Sequence, residues 1–187
     1  DKKIFMAASE SVALINCGIH DVRSLQPGYM VHILDGRIEI KKYTEAKRIS
    51  HCMFEWVYFS NVGSVLDNKS VYITRTNLGR ELAKLETQKI VKDFIVVPVP
   101  DTAKAAGDAF AYELGIPSKE GIIRNRYVGR TFIEGSSRHD KVQNKYTALR
   151  DVLAGKKVLL VDDSIVRGNT TKQLVRYLKE EGGAKDV

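Results

Sequence analysis

The stretch KVLLVDDSIVRGNTTK, from Lys157 to Lys172, constrains the fold of this chain more than any other. Four apolar residues run straight into two adjacent aspartates, Asp162 and Asp163, and a small polar loop follows. A strand apolar on both faces belongs in a parallel sheet covered by helices, so an α/β architecture is predicted. In such a sheet ligands bind beyond the carboxyl ends of the strands, where Asp162 and Asp163 stand. Two neighbouring carboxylates suit a vicinal diol, a developing cation or a divalent metal. Gly168, Asn169, Thr170 and Thr171 then open a helix whose free N–H groups, hydroxyls and dipole make a phosphate seat. A sugar phosphate spans both, with its diol on the aspartates and its phosphate at the helix start. Neither GxxxxGK[ST] nor GxGxxG occurs, so P-loop and Rossmann nucleotide fingerprints are absent.

Strands and helices alternate ahead of this stretch. A helix is predicted from a Ser70 cap, with Val71, Leu78, Leu82 and Leu85 near helical spacing. It is followed by strand FIVVPVP, a helix from Asp101 to Leu114 closed by Gly115, and a short strand around Ile122. A helical stretch near Lys141 to Leu153, strand KVLLV and a helix from Thr170 to Glu181, ended by Gly182 and Gly183, complete the series. The first fifty residues read differently: an apolar strand IFMAA, a short helix from Ser9 capped by Gly18, and the runs YMVHIL and RIEIKKY joined by Asp35-Gly36, a strong hairpin signal. The apolar FEWVYF is read as a strand leading into the polar link SNVGSVLDN. One hairpin and one helix bury little, so this front piece is expected to be the tail of a larger unit.

Composition excludes several function classes. The 187 residues are 43% hydrophobic and 28% charged, ordinary for a globular protein. No apolar run reaches about 18 residues and the opening DKKIF is no signal peptide, so no membrane role is expected and the cytoplasm is the expected compartment. Cys17 and Cys52 stand far apart and His20, His32, His51 and His139 are scattered, which supports neither a disulfide framework nor a zinc site. Each cysteine is expected to be a buried small hydrophobe. The net charge of +7 fits a polyanionic partner. Between Arg124 and Lys145 lie Arg124, Arg126, Arg130, Arg138, Lys141 and Lys145 against Glu134 and Asp140, with Tyr127 and Phe132 interleaved. Taken alone, that stretch is either a solvated basic face or a single-stranded nucleic-acid surface.

VLLVDDSIVRGNTT resembles the phosphoribosyl pyrophosphate (PRPP) motif of type I phosphoribosyltransferases, in the form found in glutamine PRPP amidotransferases. ASESVAL with DVRSLQPGY, HCMFEWVYF, VVPVPDTAKAAGDAFAYELGIP, and GIIRNRYVGRTF with KVQNKY are similar to the same family, in its order, over nearly the whole chain. The resemblance implies synthesis of 5-phosphoribosylamine from PRPP and glutamine-derived ammonia, with release of pyrophosphate, at the first step of purine synthesis. It implies that Asp162 and Asp163 hold the ribose hydroxyls and bear on Mg²⁺. Ser164, Arg167, Gly168, Asn169, Thr170 and Thr171 would bind the 5-phosphate. Asp101, Thr102, Ala103 and Lys104 match the pyrophosphate loop, Thr102 at the position of a metal-ligating hydroxyl. The basic stretch resembles the family's loop that closes over PRPP, with Arg124, Tyr127 and Lys145 as its contacts, which leaves nucleic acid without a role.

By the same resemblance, residues 1–51 are expected to be the last portion of a glutaminase domain of the Ntn-hydrolase kind. Residues 52–187 are expected to be a phosphoribosyltransferase domain lacking its carboxyl-terminal segment. The chain would then be a piece of a longer enzyme, lack the N-terminal cysteine nucleophile and not take ammonia from glutamine itself. Cys52 falls where some members place one ligand of an iron-sulphur cluster, a group expected only in the full-length enzyme. Purine nucleotides are implied as feedback inhibitors and a homo-oligomer, a tetramer, as the assembly. Asn61-Val62-Gly63 and Asn169 depart from the family's usual Arg-Pro-Asp and Thr. Two other readings share the PRPP loop: a nucleobase-salvage phosphoribosyltransferase, and a PRPP-binding regulator without turnover.

Overall fold

A computed structural model of the chain describes residues 4–127 and 145–187. Two compact units make it up, Asp1–Val71 and Tyr72–Val187.

In the first unit, helix α1 (Ser11–Asn16) is closed by Gly18, whose N–H returns to the Ile15 carbonyl. Strands β1 (Tyr29–Leu34) and β2 (Arg37–Lys42) pair antiparallel with Leu34 opposite Arg37. The turn between them takes φ +47° at Asp35 and +73° at Gly36, which the Asp-Gly dipeptide tolerates and which matches the twist of a hairpin. Glu10 ties α1 to the link after it: its Oε2 accepts from the Asn61 N–H at 2.7 Å and the Ser64 hydroxyl at 2.8 Å. The link ends in a two-rung hairpin, β3 (Val65–Leu66) with β4 (Lys69–Ser70).

Three expectations fail in this unit. IFMAA is not a strand: among the described residues no neighbour pairs with it, and a strand without a ladder is not held. FEWVYF is not a strand either. Glu55–Phe59 form a π-helical turn closed by the Ser60 N–H on the Glu55 carbonyl at 3.0 Å, and the Ser60 hydroxyl caps the Glu55 carboxylate. Cys17 and Cys52 are both exposed rather than buried. Cys52 lines an open cleft beside His51, whose ring meets the Asp67 carboxylate at 2.9 Å.

The second unit is built on two parallel strands, β5 (Phe94–Pro98) and β8 (Lys157–Val161), in register from Phe94 opposite Lys157 to Pro98 opposite Val161. Parallel bridges at Ser118 beside Val96 and at Asp186 beside Lys157 extend the sheet on either side. All of β5 is buried, as its unbroken apolar sequence requires. Helix α2 (Val71–Lys84) has its expected extent, but not its expected face. Val71, Arg75, Gly79 and Ala83 are the buried stripe, whereas Leu78 and Leu82 are each 46% exposed and Leu85 is 76% exposed. The reason is closeness: a Cβ on Gly79 would sit 2.0 Å from the Ala106 carbonyl oxygen of helix α3 (Lys104–Leu114). At that separation only small side chains fit between the helices.

Strand β6 (Ile122–Arg124) pairs with β7 (Tyr146–Ala148), Arg124 opposite Tyr146. The pairing is antiparallel and forms a two-stranded ladder separate from the parallel β5–β8 sheet, which is the parallel sheet expected. The pairing also replaces part of the predicted helix near Lys141 to Leu153: Lys145 and α4 (Arg150–Leu153) are helical and Tyr146–Ala148 are extended among the described residues. Residues 141–144 of that prediction lie outside them. Helix α5 (Asn169–Glu180) returns over the sheet, burying Leu174 and Leu178 completely. Each such leucine contributes about 1.5–3 kcal/mol, which anchors the helix and thereby fixes where its amino-terminal end points. The Tyr177 hydroxyl donates to the Tyr146 carbonyl at 3.2 Å and accepts from the Ala148 N–H at 3.3 Å, fastening α5 to β7.

Candidate functional site

Both inner strands end at the same side of the sheet, and each hands over to a loop that opens a helix. After β5, Val99 pairs with Val161 through its N–H, and the turn Pro100-Asp101-Thr102-Ala103 leads into α3. After β8, Asp162 and Asp163 follow at once and the loop runs to Gly168, where α5 begins. The loops touch: the Thr102 hydroxyl donates to an Asp163 carboxylate oxygen, 61 positions along the chain. The other Asp163 oxygen accepts from the Ser164 hydroxyl at 2.7 Å, and Asp162 accepts from the Asp163 N–H at 2.9 Å. The acid pair is therefore fixed from both sides, and both carboxylates remain half-buried.

Burial pushes the Asp162 carboxyl above the ordinary carboxylate range. The bond from the Asp163 N–H and the nearby Lys145 ammonium oppose that rise, and the Asp163 charge adds to it. A desolvated carboxylate beside a second one is a poor resting place for negative charge. It becomes favourable once a cation or a pair of hydroxyl donors arrives.

At the start of α5, Gly168 adopts φ +68°, a conformation that glycine reaches without strain. It lends the helix no side-chain cap, and the first turn carries no acidic residue. The N–H groups of Asn169, Thr170 and Thr171 face a helix end with positive dipole and no capping side chain, a fit for a phosphate. Arg167, Asn169 and Thr170 are exposed there and Thr171 half-buried, so guanidinium and hydroxyl donors supplement the backbone. Ile165 and Val166, at the tip of the loop, are 71% and 81% exposed.

Across the site, Ala103 is buried and anchors the turn through its N–H to the Val99 carbonyl at 3.2 Å. Lys104 opens α3 and donates to Glu120. Arg124, at the end of β6, lies 3.2 Å from the Asp101 carboxylate. Lys145 immediately precedes β7: its carbonyl accepts from the Asn125 N–H at 2.9 Å, and its ammonium lies 5.0 Å from the Tyr146 ring centroid. Tyr127 is 97% exposed and reaches none of these groups, its N–H being held by Asn125 at 3.0 Å. Arg130, Phe132, Glu134, Arg138, Asp140 and Lys141 of the basic stretch lie outside the described residues. Sequence reasoning missed Glu120, the Lys104 partner. A lone glutamate in PSKEG gives no sign of which cation it meets.

No cluster of three or more His, Cys, Asp or Glu side chains suited to a metal occurs among the described residues. What Asp162, Asp163 and Thr102 offer is a short row of hard oxygen donors. That is how Mg²⁺ is held when the substrate brings phosphates to complete its shell. Two cysteines cannot supply the four thiolates of an iron-sulphur cluster, so the residues present do not fit one. No helix among the described residues is long and apolar enough to cross a membrane.

Comparison with known proteins agrees with this arrangement. Residues 70–186 match the family described as phosphoribosyl transferase domain. The amidophosphoribosyltransferase of Synechocystis is 40% identical over 183 residues, which is 97% of this chain and 36% of that protein. That of Saccharomyces cerevisiae is 42% identical over 191 residues, 98% of this chain and 38% of that protein. The structure of glutamine phosphoribosylpyrophosphate amidotransferase from B. subtilis complexed with ADP and GMP is similar with a TM-score of 0.79 at 38% identity, covering 95% of this chain and 38% of that one. The chain thus spans well under half the length of each of these relatives. With a family match over most of its length and the acid pair, turn and helix start assembled at one sheet end, the chain belongs to the phosphoribosyl transferase domain family.

Proposed function

We propose that this chain is the phosphoribosyl-handling part of an amidophosphoribosyltransferase, which transfers ammonia to PRPP and releases pyrophosphate at the first step of purine biosynthesis. The observation that carries the reading is the hydrogen bond from Thr102 to Asp163, which sets the pyrophosphate turn against the diol-binding acids. In this reading Asp162 and Asp163 accept from the ribose hydroxyls. The start of α5, with Ser164, Arg167, Gly168, Asn169, Thr170 and Thr171, takes the 5-phosphate. Asp101, Thr102, Ala103 and Lys104 receive the pyrophosphate. Ammonia attacks the anomeric carbon as the carbon–oxygen bond to pyrophosphate breaks, so the leaving group departs with the electron pair and the new ammonium sheds a proton to solvent.

The transition state has oxocarbenium character, and the carboxylates beside the ribose stabilise its developing positive charge. Lys104 and Arg124 neutralise charge gathering on the pyrophosphate, and Lys145 stands next to Tyr146, the residue opposite Arg124. Mg²⁺, held through Thr102, Asp162 and Asp163, supplies further neutralisation when bound. Tyr127 contacts substrate in this reading as part of the segment that begins there. The ammonia comes from glutamine in the intact protein, and residues 1–51 are the end of its Ntn-hydrolase glutaminase domain. Purine nucleotides serve as feedback inhibitors, in keeping with the ADP and GMP in the B. subtilis complex, and the enzyme works as a cytoplasmic homo-oligomer, a tetramer.

The test is pyrophosphate release from PRPP and Mg²⁺ with ammonium chloride, beside glutamine and beside adenine as acceptors. Ammonium-dependent release that falls by about 100-fold or more in Asp163→Asn is expected. Release with adenine in place of ammonium would overturn the reading in favour of base salvage, and PRPP binding without any release would leave a regulator.

A further inference from the structure

Both cations beside the pyrophosphate turn are already paired with carboxylates. Lys104 donates to Glu120, and Arg124 lies 3.2 Å from Asp101. Glu120 precedes β6 and is held in place by its surroundings. The Ser118 hydroxyl donates to Asp108 on α3 at 2.6 Å, and the Lys119 N–H reaches the Val96 carbonyl of β5 at 2.9 Å. Asp108 is one helical turn beyond Lys104. Two rungs therefore join α3 to the segment that carries Glu120, one through Asp108 and one through Lys104. The Lys104 and Glu120 side chains are 54% and 60% exposed, so an anion from solvent can reach the pair. Their mutual bond raises the Lys104 pKa and holds the Glu120 carboxyl below its usual range.

We infer that Glu120 is a positioning residue that holds the Lys104 ammonium at the pyrophosphate turn by standing in for phosphate, so that a pyrophosphate-bearing ligand gains Lys104 only by displacing it. The inference rests on the phosphoribosyl-transfer reading above. An exposed ion pair is weak, so a multiply charged anion displaces the carboxylate while a singly charged one gains little by doing so. Glu120 thereby costs the site some affinity for every anion. In return it keeps Lys104 in place while the site is empty and hastens the departure of pyrophosphate afterwards.

Calorimetric titration of the full chain with inorganic pyrophosphate and with PRPP, each with Mg²⁺, tests this on the wild type, Glu120→Gln, Lys104→Met and the double variant. Glu120→Gln should bind pyrophosphate about three- to fivefold tighter, the scale of an exposed pair. In the Lys104→Met background the same substitution should have no effect, because the competition runs through Lys104. Unchanged or weaker binding in Glu120→Gln overturns the inference, as does equal tightening in both backgrounds, which would mark a general field effect of the lost charge. A wild type that binds neither pyrophosphate nor PRPP overturns the transfer reading itself, and this inference with it.

Discussion

The Thr102 hydroxyl donates to Asp163 across two loops that leave neighbouring parallel strands, so one hydrogen bond joins the turn after β5 to the acid pair after β8. Thr102→Val keeps the shape and removes the donor. A hydrogen bond to a charged group contributes about 1.5–3 kcal/mol, so kcat/KM for ammonium-dependent pyrophosphate release should fall about 10- to 100-fold. Steady-state assays of the variant beside the wild type check this. An unchanged value would mean that the two loops do not act together.

Asp162 carries a prediction about pH. Burial raises its pKa, so the folded chain binds that proton more tightly than the unfolded chain does. Its contribution to stability therefore declines as pH rises from the ordinary carboxylate range through the raised value, and the cost is fully present above it. Asp162→Asn abolishes the decline. Urea midpoints of the unliganded variant should match or exceed the wild type at neutral pH, and the gap should close as pH falls below the ordinary carboxylate range. A variant less stable than wild type at neutral pH would contradict the direction.

Gly79 fixes how closely α2 approaches α3. Its substitution by alanine drives a Cβ against the Ala106 carbonyl oxygen, a backbone atom that cannot turn aside. The overpacking should cost about 1–3 kcal/mol, read as a lower denaturation midpoint. Leu78→Ala, on the exposed stripe of the same helix, should cost less, and the reverse order would place the buried face wrongly.

Tyr177 fastens α5 to β7 with one hydroxyl that both donates and accepts. Tyr177→Phe leaves the Ala148 N–H and Tyr146 carbonyl without this partner, at about 1–3 kcal/mol. Amide hydrogen exchange at Ala148 should quicken together with the loss in denaturation midpoint. Unaltered exchange there would show that the hydroxyl does not hold the strand.

The sequence made the inner sheet and its site legible for a physical reason. FIVVP and KVLLV are apolar on both faces, which only a buried parallel strand accepts, and the acids and glycine that follow have no place in a core. Glycine at positions 18, 36, 115 and 183 marked element ends correctly, each at positive φ. The remainder depended on contacts between distant residues. Leu78, Leu82 and Leu85 carry a helical period but are exposed, the first two on the outer side of α2 and Leu85 just past its end, because the approach at Gly79 selects for small residues instead. Tyr146–Ala148 extend because β6 offers a partner, and nothing within the three residues announces it. FEWVYF has strand composition, yet the Ser60 hydroxyl and N–H close it into a turn. The Glu120 bond to Lys104 is equally a matter of tertiary placement.

The register of β8 against β5 has a consequence for folding fidelity. Val158 to Val161 are apolar at every position, Val158 and Val161 buried and Leu159 and Leu160 half-buried, so sliding the strand by one residue sets one hydrophobe in the place of another. The same slide turns the Asp162 and Asp163 side chains to opposite faces and parts Asp163 from Thr102. Ligand binding is thus a proofreading signal: a preparation can show full helix content and a compact size while its ligand-competent fraction counts only the chains whose strands locked in step.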